Sequence, residues 1–527
     1  MRIAVAGRDT SLAREIRKEL AQQGHQCVTA APDCVVFAEG SLEDLESIVR
    51  AGGFRRLVVR SHACAYGATC KNPGYVTEER TSLLAADAPD RSWLRLEQAA
   101  AQSPSWAAIR LATVLDTGED DPVMRRLMRR FSALPAGRDP GMQFIALRDA
   151  ARVLVKAAES EGNGIFNAAG EGAVPLRKAF EAAGTARVPV PGMLLRRLWR
   201  SGEIDRFEHN WTVSSERARR ELGFRPEFSS SGALAEFLRE RSRGRPELLT
   251  GGFDEWGLDA GYIRSWSRMI GFLQKRYWRV EYEGLENIPR TGPAMFVSNH
   301  RGFMPIDAVV HLAAVWEATG RLIRFLILPA LLQPPFHSRF FTKLGGVVAS
   351  QKNAARLFEG QNLVGVFPEG IRGAFTMYKS AYRLRDFSTS AFVKMAIENQ
   401  APIVPAAVIG HAEIFPIVGR INWSHLTKKL DWPFLPIAPP FPLLPFLPLP
   451  SKWHVRVLPP IPVSGLSPVD ARNRKLLREM TSYVQHVMQR NIDDMISRRK
   501  SVFFGKILDG TGPVTPPFEP AGWRPAL

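Results

Sequence analysis

Cysteine is scarce: Cys27, Cys34, Cys64 and Cys70 are the four in 527 residues, all near the start. None forms a CxxC pair, which argues against a zinc ribbon, and a chain this long needs no disulfide scaffold, so buried reduced thiols and a cytosolic setting are expected. An unbroken apolar run able to span a bilayer is also missing. The most apolar stretch, WPFLPIAPPFPLLPFLPLP at 432–450, carries eight prolines. Each proline removes a backbone donor and clashes with the preceding turn, so no regular spanning helix is expected there. The stretch reads either as a loop packed on the protein or as one dipping into the outer part of a bilayer. No leader is expected, since MRIAVAG begins directly as a strand. No repeat of fixed period is present, nor any zinc-finger or RNA-binding signature. Acidic residues are in deficit, 52 against 70 Lys and Arg, for a net charge of +18. That excess asks for an anionic partner, a membrane surface or a phosphorylated substrate, and without a nucleic-acid signature no nucleic acid is expected.

What is present describes a folded chain: 45% hydrophobic and 23% charged residues suit globular domains, and the length suits two or three of them. The stretch ERSRGRPELLTGGFDEWGLDAG, residues 240–261, is Arg-, Gly- and acid-rich without a sustained apolar period and reads as a linker. It separates a first α/β pattern at 1–239 from a second at 262–495, and Pro- and Gly-rich residues 496–527 read as an irregular tail.

The first half opens as a strand, a turn and an amphipathic helix, MRIAVAGRDTSLAREIRKEL. With RSHACAYGATCKNPGYVTEER, IRLATVLDTG, MQFIALRDAARVLVKAAE and GIFNAAGEG in that order, it resembles the extended short-chain dehydrogenase/epimerase family, which implies a Rossmann-like fold. The parts needed for dinucleotide chemistry are altered. A phosphate-cradling turn needs glycines for close backbone approach; Gly7 is present, but Thr10 and Ala13 stand where the next two belong, and Asp9 adds a like charge. Trp93 and Glu97 occupy the places of the family's Tyr and Lys. Trp cannot serve as the acid, and Glu cannot lower a neighbouring phenol's pKa as a cation does. Tyr66 has no lysine in the matching position. The chain also reaches RSHACAYG early, so elements that hold the adenosine are missing. A degenerate Rossmann-like domain, binding no cofactor, is expected.

In the second half, PAMFVSN reads as a buried strand ending at His300, RGFM as a loop, and IDAVVHLAAVWEA as a helix with Pro305 in its first turn. His300 thus stands at a strand end and Asp307 in the next helix's first turn, where α/β proteins build sites. Asp307 as a helix-terminal carboxylate and His300 as a satisfied loop histidine remain the plain alternatives. GLENIPRTGPAMFVSNHRGFMPID, LGGVVAS, LVGVFPEGIRG and APIVPAAVIG then follow in order. The segment 260–490 resembles the glycerolipid acyltransferase family that includes bacterial lysophosphatidate acyltransferases, and more closely its monoacylglycerol-acyltransferase-like branch. The family's main pattern sets the Asp closer to the His; Asp307 is seven after His300, the longer loop of that branch.

The resemblance implies an O-acyltransferase moving a fatty acyl group from acyl-CoA or acyl carrier protein to a glycerolipid hydroxyl, with no metal and no other cofactor. His300 would be the general base and Asp307 its orienting partner. Glu369, Gly370 and Arg372 of FPEGIRG would bind the acceptor, and Asn299 would support the loop or the substrate. Lys379, Arg383 and Arg385 are candidate anion contacts or a solvated face, Ser350 is a weaker contact, and Pro405 belongs first to the core. Residues 262–284 mix Trp266, Met269, Ile270, Phe272 and Leu273 with Arg264, Arg268, Lys275 and Arg276, suiting an interfacial segment on an anionic membrane surface or an ordinary amphipathic helix. A peripheral position on the cytoplasmic face is expected. Two other readings stand beside this one: an NAD(P)-dependent epimerase or oxidoreductase acting through the first half, and a non-catalytic lipid-binding protein.

Overall fold

The computed structural model describes the chain except for residues 86–87, 119, 200–201, 303, 333, 388, 440–446, 514–516 and 519–527. Two compact units emerge, Met1–Ala260 with Leu331–Lys343, and Gly261–Ala330 with Leu344–Leu527. Of the segment 240–261, expected as a linker, all but Gly261 instead belongs to the first unit: Leu249 is buried in its core and the Arg245 amide donates to the Ala182 carbonyl at 2.6 Å. One apolar anchor and a backbone bond are enough to hold a segment whose composition is that of a linker. The stretch 262–495 is likewise not one continuous unit, because the helix Pro335–Lys343 clusters with the first. There the buried Lys343 ammonium lies 3.1 Å from Asp139 and 2.9 Å from Asp259. The expected tail also starts too early, since the last helix runs Arg474–Arg498 and Arg499 is ion-paired with Glu413 at 2.6 Å.

The first unit is built on six parallel strands: β1 (Arg2–Gly7), β2 (Gln26–Cys27), β3 (Cys34–Glu39), β4 (Arg56–His62), β5 (Trp106–Leu111) and β6 (Gly164–Ala168). Their order is β6-β5-β4-β3-β1-β2, which is the doubly wound order 2-1-3-4-5 extended by a sixth strand. Period-two alternation covers both faces. Val36, Ala38 and Val58 join a core with Leu12, Ile16 and Leu20, whereas Val35, Phe37, Leu57 and Val59 join one with Leu45 and Leu96. Of the cysteines, all free thiols, Cys34 and Cys64 are buried as expected, but Cys27 is exposed and Cys70 half-buried.

The main sheet of the second unit has seven strands: β7 (Glu281–Glu283), β8 (Ala294–Ser298), β9 (Ile323–Ile327), β10 (Val347–Val348), β11 (Leu363–Val366), β12 (Ile403–Ile409) and β13 (His454–Val457). They lie in the order β7-β13-β12-β8-β11-β9-β10. All pairings are parallel except β12 with β13. Strands β8, β11 and β12 are buried throughout, as near-continuous apolar runs covered on both faces require. The central β8 is flanked by β11 and β12, so the loops after residues 298 and 366 leave the sheet side by side.

The helix Ala260–Phe272 turns Ile263 and Ile270 inward and leaves Met269 and Phe272 exposed. Among the described residues no helix is long and apolar enough to cross a membrane. Residues 440–446 of the proline-rich stretch lie outside the description. Of the rest, Leu435–Ile437 forms a strand paired with Gly419–Ile421.

Candidate active site

The loop after β8 and the helix Ile306–Thr319 bring together the pair singled out in the sequence. The His300 imidazole donates from Nδ1 to Asp307 Oδ2 at 2.6 Å, with Asp307 1% and His300 7% exposed. The second carboxylate oxygen of Asp307 accepts the Ala308 amide at 2.9 Å, which fixes the carboxyl in the helix's first turn. A hydrogen bond at Nδ1 sets the tautomer, leaving Nε2 as the basic nitrogen. Phe367, the first residue of FPEG, stacks on the His300 ring at 4.6 Å and 27°, and rests in turn on Phe325 at 5.1 Å and 4°. Imidazole plane and tautomer are thus both held.

Glu369 is placed differently from expectation. Its carboxylate is 2% exposed and engaged on both oxygens: Oε2 lies 2.7 Å from Arg301 Nη1 and accepts the His300 amide at 3.4 Å, and Oε1 accepts the Arg385 amide at 2.6 Å. It is therefore a framework group and does not present itself to an acceptor. Its partner Arg301, 1% exposed, was missed in the sequence. Its guanidinium also donates to the carbonyls of His300 (2.6 Å), Ala381 (2.5 Å) and Arg383 (2.9 Å). One fork joins the histidine loop, the FPEG turn and the segment 381–385, and a buried pair with this many satisfied hydrogen bonds is the arrangement a low-dielectric site tolerates. The only signal in the sequence was an arginine beside the histidine, indistinguishable there from a solvated one.

Asn299 is likewise a framework residue. Its amide donates to the Val408 carbonyl (3.0 Å) and accepts the Val408 amide (2.8 Å), continuing the β8–β12 pairing through a side chain. It also donates to Nε2 of His411 at 3.2 Å, whose imidazole is held well below its usual range by burial and by the nearby Arg301 and His300. His311, fully buried, faces Ser298 Oγ at 3.1 Å and the Tyr282 hydroxyl at 3.4 Å; burial pushes it down to about 4. Both histidines are neutral structural groups behind the site.

Gly370 takes a left-handed φ of +56° with open space beside it, and Arg372 on the helix Gly370–Ala374 is exposed. Ser350 caps the helix Gln351–Glu359 by accepting the Asn353 amide. Pro405 sits within buried β12. Lys379, Arg383 and Arg385 are exposed.

In the first unit the altered motif residues have structural work. A Cβ on Gly7 would lie 1.9 Å from the Glu39 carbonyl oxygen, so this glycine serves the approach of β1 to β3. Thr10 caps the first helix, and the Asp9 carboxylate, held below its usual range by Arg17, stands in the turn where phosphate would need to be. Glu97 is a buried partner of Arg110 at 2.6 Å and accepts the Ser61 hydroxyl. Tyr66 donates to Asn167 Oδ1 at 3.0 Å, and burial pushes its phenol up to about 12. A cleft of about 300 Å³ remains at the ends of β3 and β4, lined by His62, Trp93, Asp90 and Asp121 among others. Its Arg206 is already neutralised by Asp90 and Asp121.

Parts of the chain are similar to known proteins. The family model described as Acyltransferase matches residues 279–409, the segment holding His300, Asp307 and Glu369. The uncharacterized protein Rv0502 of Mycobacterium tuberculosis is 34% identical over 281 residues, covering 52% of this chain and 76% of its own. A Bos taurus protein named "DGAT1/2-independent enzyme synthesizing storage lipids" is 26% identical over 164 residues, 31% of this chain and 48% of its own. Among solved structures, UDP-N-acetylglucosamine 4-epimerase from Bacillus cereus aligns with 48% of this chain and all of its own, at 16% identity and a TM-score of 0.36. Residues 279–409 are thus a domain of the acyltransferase family, and the chain is an acyltransferase.

Proposed function

We propose that the second unit transfers a fatty acyl group from an acyl thioester, acyl-CoA or acyl carrier protein, to the hydroxyl of a glycerolipid of the lysophosphatidate or mono- or diacylglycerol type. The observation that carries this reading is the buried His300–Asp307 hydrogen bond at a strand end, with Nε2 turned away from the aspartate. An alcohol is a poor nucleophile until a base removes its proton, and a neutral imidazole suits that task. Nε2 takes the hydroxyl proton as the oxygen attacks the thioester carbonyl. Asp307 stabilises the resulting imidazolium, as in a triad whose serine is replaced by the substrate. The tetrahedral intermediate collapses with loss of the thiolate, the imidazolium returns the proton to sulfur, and the products are an ester and a free thiol. No covalent enzyme intermediate and no cofactor are needed.

Arg372 and Gly370 are assigned to the acceptor side. A guanidinium can hold a phosphate in a bidentate fork, and the glycine leaves its backbone approachable. Glu369 and Asn299 position the loop. The protein works peripherally at the inner face of the cell membrane, drawn there by its positive charge. The first unit binds no dinucleotide, because Asp9, Trp93 and Glu97 replace the groups such chemistry uses.

Acyl transfer by the purified chain and its His300→Ala variant, with acyl-CoA and acyl carrier protein donors and lysophospholipid, monoacylglycerol and diacylglycerol acceptors, tests the reading. Activity that disappears in the variant supports it, and the preferred acceptor names the branch. A folded wild-type chain that binds lipid yet transfers nothing from either donor would favour the lipid-binding reading instead.

A further inference from the structure

The second unit exposes an apolar ribbon that the chemistry above does not use. Strand Gly419–Ile421 pairs antiparallel with Leu435–Ile437, setting Gly419 opposite Ile437 and Ile421 opposite Leu435. Period two puts Ile421 and Ile437 on one face, and a Cβ on Gly419 would meet the Ile437 side chain at 3.1 Å. Ile421 is 50% exposed and Ile437 42%; Val418 and Trp423, at the ribbon's margin, are 58% and 59% exposed. Single exposed apolar residues need no explanation, but a group of large ones within twenty positions does. A two-stranded ribbon is marginal in water without an anchor. The anchor here is Phe375, edge-on to Trp432 (5.3 Å) and Phe434 (5.4 Å). Phe375 directly follows the helix Gly370–Ala374 that carries Arg372, so the ribbon is packed against the acceptor side of the site.

The exposed Arg420 and Lys428 flank the apolar residues, and Asp431 is the sole acidic residue in 418–437. Tryptophan and aliphatic side chains edged by cations fit the boundary between lipid headgroups and acyl chains. A second copy of the chain fits less well, because it would bring another net +18 against these cations. We infer that the 418–437 ribbon docks the protein on an anionic lipid surface, with Val418, Ile421, Trp423 and Ile437 entering the interface and Arg420 and Lys428 meeting the headgroups. The acceptor would then reach the Gly370–Arg372 turn without leaving the lipid layer. This role in catalysis rests on the acyl-transfer reading; the docking itself does not.

Co-sedimentation of the full chain with phosphatidylcholine vesicles, with and without phosphatidylglycerol, tests the inference. The Ile421→Asp/Trp423→Asp variant is expected to lose about tenfold or more in partitioning, with its circular dichroism unchanged. Its transfer rate on a short-chain, water-soluble acceptor should also be unchanged. Arg420→Gln and Lys428→Gln should each weaken binding about fivefold, only on the anionic vesicles and only at low salt. The inference is overturned if the double variant sediments like the wild type, if the wild type does not sediment at all, or if Phe272→Asp abolishes binding while the ribbon variant does not. A wild-type dimer without lipid that the double variant dissociates would also overturn it, by assigning the face to a second copy. A wild type that binds through the ribbon yet transfers no acyl group would leave docking standing and remove the acyltransfer mechanism.

Discussion

His300, Asp307, Arg301 and Glu369 divide the work of the site between chemistry and support. Replacing His300 with Gln removes the base and should lower kcat by about 10²–10⁴, measured in single-turnover acyl transfer. Asp307→Asn keeps the size of the side chain but offers an amide where the imidazole Nδ1–H needs an acceptor. The ring is then free to take the other tautomer, and a fall of similar order is expected, with KM for the donor little changed. A rise in KM with kcat unchanged would argue against this role. Arg301→Met is a different kind of change, because it strands the Glu369 carboxylate in a site that is 2% exposed. A stability loss of about 3–5 kcal/mol follows for a buried pair broken on one side, read from urea unfolding. Arg301→Met with Glu369→Met should recover part of it, since then no charge is left unpaired. The histidine and the aspartate were legible in the sequence because a strand end and a helix start place them there and the ordered blocks around them resemble a known family. Arg301 was not, because whether an arginine is solvated or buried depends on carbonyls that arrive from residues 381 and 383.

Elements that carry their own periodicity stand close to where the sequence puts them. The strand expected to end at His300 is Ala294–Ser298, and the following helix is Ile306–Thr319, with Pro305 one position before the first turn, at the N-cap. Their apolar patterns and the proline are local signals, and local signals survive folding. Partners across the sheet are not local. Asn299 laces onto Val408 from 109 residues away, and nothing in SNH distinguishes that from an amide awaiting substrate. The opening turn of the first unit shows the same limit from the other side, since Gly7 looked like the remnant of a phosphate cradle but is required by the Glu39 carbonyl. With φ at +99° and a Cβ position 1.9 Å from that oxygen, Gly7→Ala should cost about 1–3 kcal/mol in denaturant unfolding of the whole chain. If the glycine served a nucleotide instead, stability would hold and only a ligand effect would appear.

At the scale of the molecule, several histidines, two buried and one half-buried, are held as neutral groups. His311 and His454 in the second unit and His209 in the first are each pushed down to about 4, chiefly by burial. In the unfolded chain each titrates near its ordinary 6.5. Between those values the unfolded state holds more protons than the folded one, so stability falls as pH drops from about 6.5 toward 4 and levels off below that. The midpoint of thermal unfolding, followed across that window, should decline, and His311→Gln should flatten the slope if its hydrogen bonds to Ser298 and Tyr282 are replaced. A midpoint insensitive to pH there would mean that these rings gain protons without opening the core. The boundary between the units also belongs to this scale. Leu331–Lys343 leaves the second half of the chain to join the first unit, where Lys343 pairs with Asp139 and Asp259.

The sequence by itself determined two α/β units and the positions of the main strands and helices, which set His300 at a strand end and Asp307 in the next helix's first turn, because periodicity and proline act over a few residues. Trp93 and Glu97, standing where the resemblance places the Tyr and Lys of dinucleotide chemistry, were read from the sequence as altered parts, and the structure gives Glu97 a buried partner in Arg110. Only the tertiary structure decided which polar groups were free to meet substrate. Glu369 and Asn299 have suitable chemistry, yet their lone pairs and protons are taken by groups brought in by neighbouring loops and strands. A buried polar atom must find its partner, and that partner is assigned by the fold.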